Sequence, residues 1–379
     1  MTQQQLARLQ AELGSLGRAY DAADVAAALR RVGVVVTDEV LLATLEQLRR
    51  ESTGAGPLED LVREPGVSDV VVNGPDQVFV DRGAGLVPAD VALADEAEVR
   101  RLAIRLAAAA GRRLDDAHPF VDGRLPSGVR LHAILAPVAH PGTCLSLRVP
   151  ARRSLTLAQL REAGTLTEDA QQILAGMVAN RVPFLISGGT GSGKTTLLAA
   201  LLALVPAAER IVVVEDALEL NPDHPHCVRL AGRQANTEGI GAIALTTLVR
   251  QALRMRPDRL VVGEVRGAEL TDLLTALNTG HEGGCGTVHA NSISDVPARL
   301  EALAALGGLG RQACHAQVAA ALAAVVHIVR FADGRRQVAQ IGVFQRGDSG
   351  LVEVVPAAEF RQATSWGPGA ARVRAWGGL

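Results

Sequence analysis

One run of residues concentrates the chemistry of this chain. Gly188-Gly189-Thr190-Gly191-Ser192-Gly193-Lys194-Thr195-Thr196 fits the spacing G-x-x-x-x-G-K-[ST]. Glycines let successive backbone N–H groups turn inward around a phosphate, and a helix starting there adds the partial positive charge of its amino end. Lys194 stands where it reaches β- and γ-phosphates, and the Thr195 hydroxyl where it ligates Mg²⁺. The flanks suit that use: Val182-Pro183-Phe184-Leu185-Ile186-Ser187 reads as a strand, and Leu197 to Val205 as a helix with no breaker. Of 38 basic residues Lys194 is the only lysine, the other 37 being arginines. The one compact ammonium thus sits where it suits a phosphate cradle better than a planar guanidinium.

Three further segments carry titratable groups at the ends of apolar runs. Arg210-Ile211-Val212-Val213-Val214-Glu215-Asp216 is a buried-type strand ending in two carboxylates. Arg254-Met255-Arg256-Pro257-Asp258-Arg259-Leu260-Val261-Val262-Gly263-Glu264-Val265-Arg266-Gly267 is a second, and Glu264 at its end can orient or deprotonate an attacking water and steady a metal through its hydration shell. Gly263 stands where an aspartate is usual. Thr279-Gly280-His281-Glu282-Gly283-Gly284-Cys285-Gly286-Thr287-Val288-His289 is the third. Its spacing of His281, Cys285 and His289 suggests a metal, but the glycines break the helix that would gather them, and zinc needs three or four converging ligands. A strand presenting His289 as a γ-phosphate sensor fits better.

Parallel strands alternating with helices would gather these ends, because ligands in such sheets bind at the carboxyl ends of the strands. The expected organisation is a helical appendage over 1–53, a smaller α/β domain over 54–149, a linker over 150–165, an α/β core over 166–345 and a loosely packed tail over 346–379. In the appendage Leu6, Leu9, Leu13 and Leu16 recur at helical spacing. In the smaller domain Arg124, Arg130 and Arg148 fall on strands, where arginines are usually solvated. Net charge is −2 and aromatics are 2%, which argues against a strong general attraction for nucleic acid and against base stacking. The four cysteines lie far apart with no C-x-x-C, as expected of reduced thiols in a cytoplasmic protein. No signal peptide or spanning apolar stretch is expected.

The set GGTGSGKTT, VVVEDALEL, VRLAGRQANTEG, LRMRPDRLVVGEVRG and TGHEGGCGTVHANS, in this order, resembles the secretion ATPases of type II and type IV secretion and type IV pili. The segments GPLEDLVREPGVSDVVVNGPDQVFVDRG, FVDGRLPSGVRLHAILAP and LSLRV resemble the CpaF-like ATPases of Tad/Flp pili within that superfamily. The resemblance covers roughly residues 54 to 345. It implies a RecA-like P-loop core with an N-terminal domain, a homohexameric ring driven by ATP and Mg²⁺, and a place at the cytoplasmic face of the membrane. The implied partners are a polytopic inner-membrane platform protein and, indirectly, pilin machinery, with no specific nucleic acid. Carried onto this sequence, it assigns phosphate binding to Gly188 through Thr196, catalysis to Glu264 and Lys194, an acid near metal and water to Glu215, and sensing to His289 with His281. Arg124, Arg130, Arg148, Arg233, Arg254 and Arg256 become possible phosphate or inter-subunit contacts. Alternatives within reach of the same residues are a type IV secretion ATPase moving protein or DNA, and a nucleotide-gated scaffold without sustained turnover.

Overall fold

The computed structural model describes residues 3–14, 21–52, 54–150, 154–233, 235, 240–361 and 363–379. Leu16 of the appendage, positions 151–153 of the linker, and positions 234 and 236–239 within VRLAGRQANTEG lie outside that set. The chain forms two compact units, Met1–Pro150 and Ala151–Leu379.

The first unit begins with helices α1 (Gln3–Gly14), α2 (Ala22–Arg31) and α3 (Asp38–Ser52). Leu9, Leu13, Val25, Leu29 and Leu48 bury one another between them. Asp21 starts α2 with a reciprocal cap, its carboxylate accepting from the Asp24 N–H while Asp24 accepts from the Asp21 N–H. After the short helix α4 (Glu59–Arg63) come β1 (Asp69–Val72), β2 (Val78–Asp81), β3 (Leu86–Pro88), α5 (Glu96–Ala109), β4 (Phe120–Arg124), β5 (Arg130–Ile134) and β6 (Cys144–Arg148). They make an antiparallel sheet of order β3-β2-β1-β6-β5-β4. Alternation decides its faces: Val121, Leu131, Ala133, Leu145 and Leu147 are buried in one core with Val99, Leu102 and Leu106 of α5. The residues between them face away.

The second unit contains α6 (Leu157–Glu162), α7 (Glu168–Ala179), β7 (Phe184–Ser187), α8 (Lys194–Leu202), β8 (Ile211–Glu215), β9 (Cys227–Ala231), α9 (Leu245–Leu253), β10 (Arg259–Val262), α10 (Glu269–Leu277), β11 (Cys285–Val288), α11 (Val296–Leu306), α12 (Arg311–Ala321), β12 (Ala324–Arg330), β13 (Arg336–Arg346), β14 (Val352–Phe360), β15 (Thr364–Trp366) and α13 (Ala370–Gly377). The sheet order is β15-β14-β13-β12-β7-β11-β10-β8-β9. It is parallel from β12 to β9 and antiparallel from β12 to β15. Strands β7, β8, β10 and β11 are buried at every residue. Ile186 and Val213 face a core that includes α7 and α8, whereas Leu185, Val212 and Val262 face one that includes α9 to α12. Helices on both faces leave only the strand ends accessible, and β7 stands in the interior of the sheet.

Two boundaries differ from expectation. The stretch 150–165 carries α6, whose Leu157 and Leu160 join the second unit's core. Residues beyond Arg346 do not fray but add β14, β15 and α13 to that unit, with Phe360 and Val373 fully buried. Pro356 within β14 and a register shift opposite it break the alternation that would otherwise mark a strand.

Candidate nucleotide-binding site

The glycine run leaves β7 and enters α8 directly. Gly191 and Gly193 adopt positive φ of 68° and 100°, a region that costs side-chain-bearing residues energy and turns the loop N–H groups to one side. A Cβ at Gly188 would strike the carbonyl of Ile328 on β12, so the loop is also packed too closely for a larger residue. No side chain caps α8. Its first N–H groups are therefore available to an anion at the carboxyl end of the sheet.

Lys194 is buried and donates to the carbonyl oxygens of Gly188 (3.0 Å) and Gly189 (2.8 Å). Its Nζ lies 3.5 Å from Nδ1 of His289, whose Nε2 lies 2.8 Å from Glu264 Oε1. Arg266 holds the other carboxylate oxygen at 2.7 Å and reaches Asp216 at 3.7 Å. Four segments thus converge: the P-loop, the end of β11, the end of β10 and the end of β8. Burial lowers the pKa of Lys194 and of His289, and the nearby Lys194 charge lowers His289 further. A neutral His289 accepting from the ammonium and donating to Glu264 satisfies both contacts. Burial pushes the Glu264 carboxyl up, but the hydrogen bond and charge of Arg266, with His289 and Lys194, outweigh it and hold the group below its ordinary value. Glu264 is therefore a stable anion that can accept hydrogen bonds from a water.

Gly263 explains itself. A Cβ there would lie 2.5 Å from Cγ of Glu215, so the space an aspartate would need is filled by the neighbouring strand's acid. Thr287 fixes this strand end by donating to the Gly263 carbonyl at 2.7 Å. Glu215 itself is buried, and one oxygen accepts from the N–H groups of Glu219 (3.2 Å) and Leu220 (2.9 Å). Burial raises its pKa to about 7. Its observed contacts shape the turn after β8, and the acid that joins the Glu264 cluster is the next residue, Asp216.

Thr195 and Thr196 sit half-buried in the first turn of α8, while Gly189, Thr190 and Gly191 are exposed at the loop apex and Ser192 is buried. A phosphate fits the uncapped helix end and the glycine cradle. Mg²⁺ fits the Thr195 hydroxyl, with Glu264, already engaged on both oxygens, a partner through water. Among the described residues no group of three His, Cys, Asp or Glu is gathered for a metal.

The remaining sequence-derived residues scatter. His281 does not join His289. It follows α10, where its Nδ1–H donates to the Ala276 carbonyl (3.3 Å), and precedes the amino end of β11, at the opposite edge of the sheet. The glycine turn after α10 closes that end, so the pair separates by the length of a strand. Arg254 and Arg256 are exposed and precede β10, on that same far edge. Arg233 lies past β9, the outermost strand, donating to the Gly241 carbonyl at 2.6 Å. Arg124, Arg130 and Arg148 stand abreast in the first unit: Arg124 pairs in register with Arg130, and Arg130 with Arg148. All three are on the face away from that unit's core. Asp216 and Arg266 were missed as site residues, although Asp216 directly follows the strand-end acid Glu215 and Arg266 stands two residues after Glu264. His327 was missed too. It is buried on β12 with Nδ1 2.9 Å from the Ser187 hydroxyl at the root of the loop. Only the pairing of β12 with β7 brings it there.

Comparison with known proteins bears on the family and the fold. The family model described as type II/IV secretion system protein matches residues 51–363. A Mycobacterium tuberculosis protein, provisionally named for conjugal transfer, is 57% identical over 324 residues, covering 84% of this chain and 92% of its own. The type IV secretion system protein VirB11 of Brucella suis is 30% identical over 298 residues, covering 72% of this chain and 82% of its own. Among solved structures, the pilus retraction motor PilT with bound ADP superposes with a TM-score of 0.51 at 18% identity, covering 78% of this chain and 81% of that one. At that identity the likeness is one of fold, and the fold is the RecA-like one. No helix among the described residues is long and apolar enough to cross a membrane. With the family model matching most of its length, the chain belongs to the type II/IV secretion system ATPase family.

Proposed function

We propose that the chain is an ATP-hydrolysing motor of a Tad/Flp-type pilus or secretion system, working as a homohexamer at the cytoplasmic face of the membrane against a polytopic platform protein. The observation that carries the reading is the contact chain Lys194–His289–Glu264–Arg266 at the foot of an uncapped P-loop helix. ATP phosphates bind the glycine loop, Lys194 and the α8 amino end. Bound Mg²⁺ would offset phosphate charge beside Thr195. Glu264 aims a water in line with the γ-phosphate, and Arg266 keeps that carboxylate ionised and oriented. His289, neutral and between ammonium and carboxylate, registers whether the γ-phosphate is there. Arg233, Arg254 or Arg256 from a neighbouring subunit supply further positive charge. Arg254 and Arg256 act only in trans on this reading, because they sit at the far edge of their own sheet. His281 has no part at the chain's own site.

Steady-state phosphate release by the purified protein tests the proposal. Turnover that requires Mg²⁺ and disappears in Lys194→Ala supports it. Nucleotide binding without turnover would favour the gated scaffold instead. A second reading, transport of protein or DNA in a type IV secretion system, draws on the conjugal-transfer names of the relatives. Deleting the gene distinguishes the two: loss of surface fibres supports the pilus, and loss of cargo transfer with fibres intact supports the other.

A further inference from the structure

Strand β7 has different neighbours on its two sides. Toward β11 lie His289, Glu264 and Arg266. Toward β12 the register runs Val326 with Ile186 and His327 with Ser187, so the next residues of β12 continue alongside the P-loop. The Ile328 carbonyl accordingly abuts Gly188. The chain then turns through Phe331–Arg335, closed by the Phe331 N–H donating to the Arg335 carbonyl at 2.8 Å, and returns as β13. That return sets Arg336 directly opposite Arg330. Both point at the loop: Arg336 Nε donates to the Gly191 carbonyl at 3.1 Å, and Arg330 Nη1 lies 3.3 Å from where a Gly191 Cβ would be. Arg336 Cδ also lies 3.2 Å from the Cβ position of Gly193.

Like charges directly opposite on adjacent strands are destabilising. Arg335, at the end of this turn, pairs with Asp333 at 2.6 Å and stacks on Phe331. Arg336 has no carboxylate partner among the described residues. The carbonyl of Gly191 offsets only part of a guanidinium charge.

We propose that Arg330 and Arg336 are nucleotide-binding residues acting in cis, forming the wall of the site opposite Glu264 and contacting the non-reacting end of the nucleotide, its α-phosphate and ribose. The inference rests on the nucleotide reading above. Its consequence is specific. Contacts to the non-reacting end are made equally with ATP, ADP and the transition state, so they act on affinity rather than on the chemical step.

The test is ADP binding to wild type, Arg336→Ala, Arg336→Lys and Arg330→Ala by calorimetry, alongside the KM and kcat for ATP. For Arg336→Ala the ADP dissociation constant and KM should rise together by about tenfold, the size of a lost charged hydrogen bond, with the smaller share of the effect in kcat. Arg336→Lys, which keeps charge and bulk, should recover part of the loss and guards against misfolding of the alanine variant. If wild type binds ADP and both Arg336 variants bind it equally well, the inference is wrong. A fall in kcat at unchanged KM would also overturn it, since that places the arginine at the γ-phosphate. If wild type binds no nucleotide, the underlying reading fails instead.

Discussion

The two sheets of this protein handle polar residues in opposite ways. In the second unit strands β7, β8, β10 and β11 are buried on both faces, so the groups of the candidate site gather at their ends. In the first unit one face of an antiparallel sheet is apolar and the other is not, so charge is carried on the face itself. There the register lines up Arg124, Arg130 and Arg148 with Asp69 and then Asp81, one residue per strand across five strands. The difference shows which kind of site each architecture supports. Strand ends give a fixed constellation with enforced distances, as at Lys194, His289 and Glu264. A strand face gives a row of charge whose members are interchangeable.

Substitutions separate the two. The largest effect belongs to the strand-end site. Lys194→Ala should lower phosphate release by about 10²–10³ or more, as for loss of a group stabilising transition-state charge. A variant that keeps a tenth of wild-type turnover would mean that Lys194 does not hold the transferred phosphate. The row should respond more gently. For Arg124→Gln, Arg130→Gln and Arg148→Gln melting temperatures should stay near wild type, because these side chains lie on the face away from that unit's core. Equal loss of stability in all three would make them structural.

The next effect is steric. Gly263→Ala should destabilise by about 1–3 kcal/mol, as other overpacked sites do, read as a lowered melting temperature, because the new methyl meets Glu215. An unchanged melting temperature would mean that Glu215 moves freely and is not fixed by its turn. The smallest effect is a pH slope. Glu215 has an ordinary pKa near 4.5 and is raised to about 7 by burial. The folded state then holds a proton that the unfolded state has released between those values, so stability falls as pH rises through that window and levels off above it. Glu215→Gln should flatten the slope in melting temperature between pH 5 and 7, and an unaltered slope would contradict the assignment.

Much of the strand-end site is legible in the sequence because each part is local. The P-loop, the apolar runs and the acids that end them need only period and spacing, and Lys194, Glu264 and His289 are indeed brought together. What is not legible depends on register between distant segments. His327 and Arg336 reach the loop only because β12 pairs with β7 and then folds back. The three arginines of the first unit become one row through two hairpins. The reverse failure has the same cause: His281 and His289 are near in sequence, yet a strand rises between them and sends them to opposite edges. Glu215 shows a further limit, since its strand-end position was predictable but the turn it caps was not.

Glu264 is proposed to direct water at a nucleotide held by Lys194. The most direct measurement is a paired assay on Glu264→Gln, with ATP retention by filter binding and phosphate release under the same conditions. ATP should be held as tightly as by wild type, with turnover lower by about 10²–10⁴, the range for a lost general base. Phosphate release at the wild-type rate would contradict it.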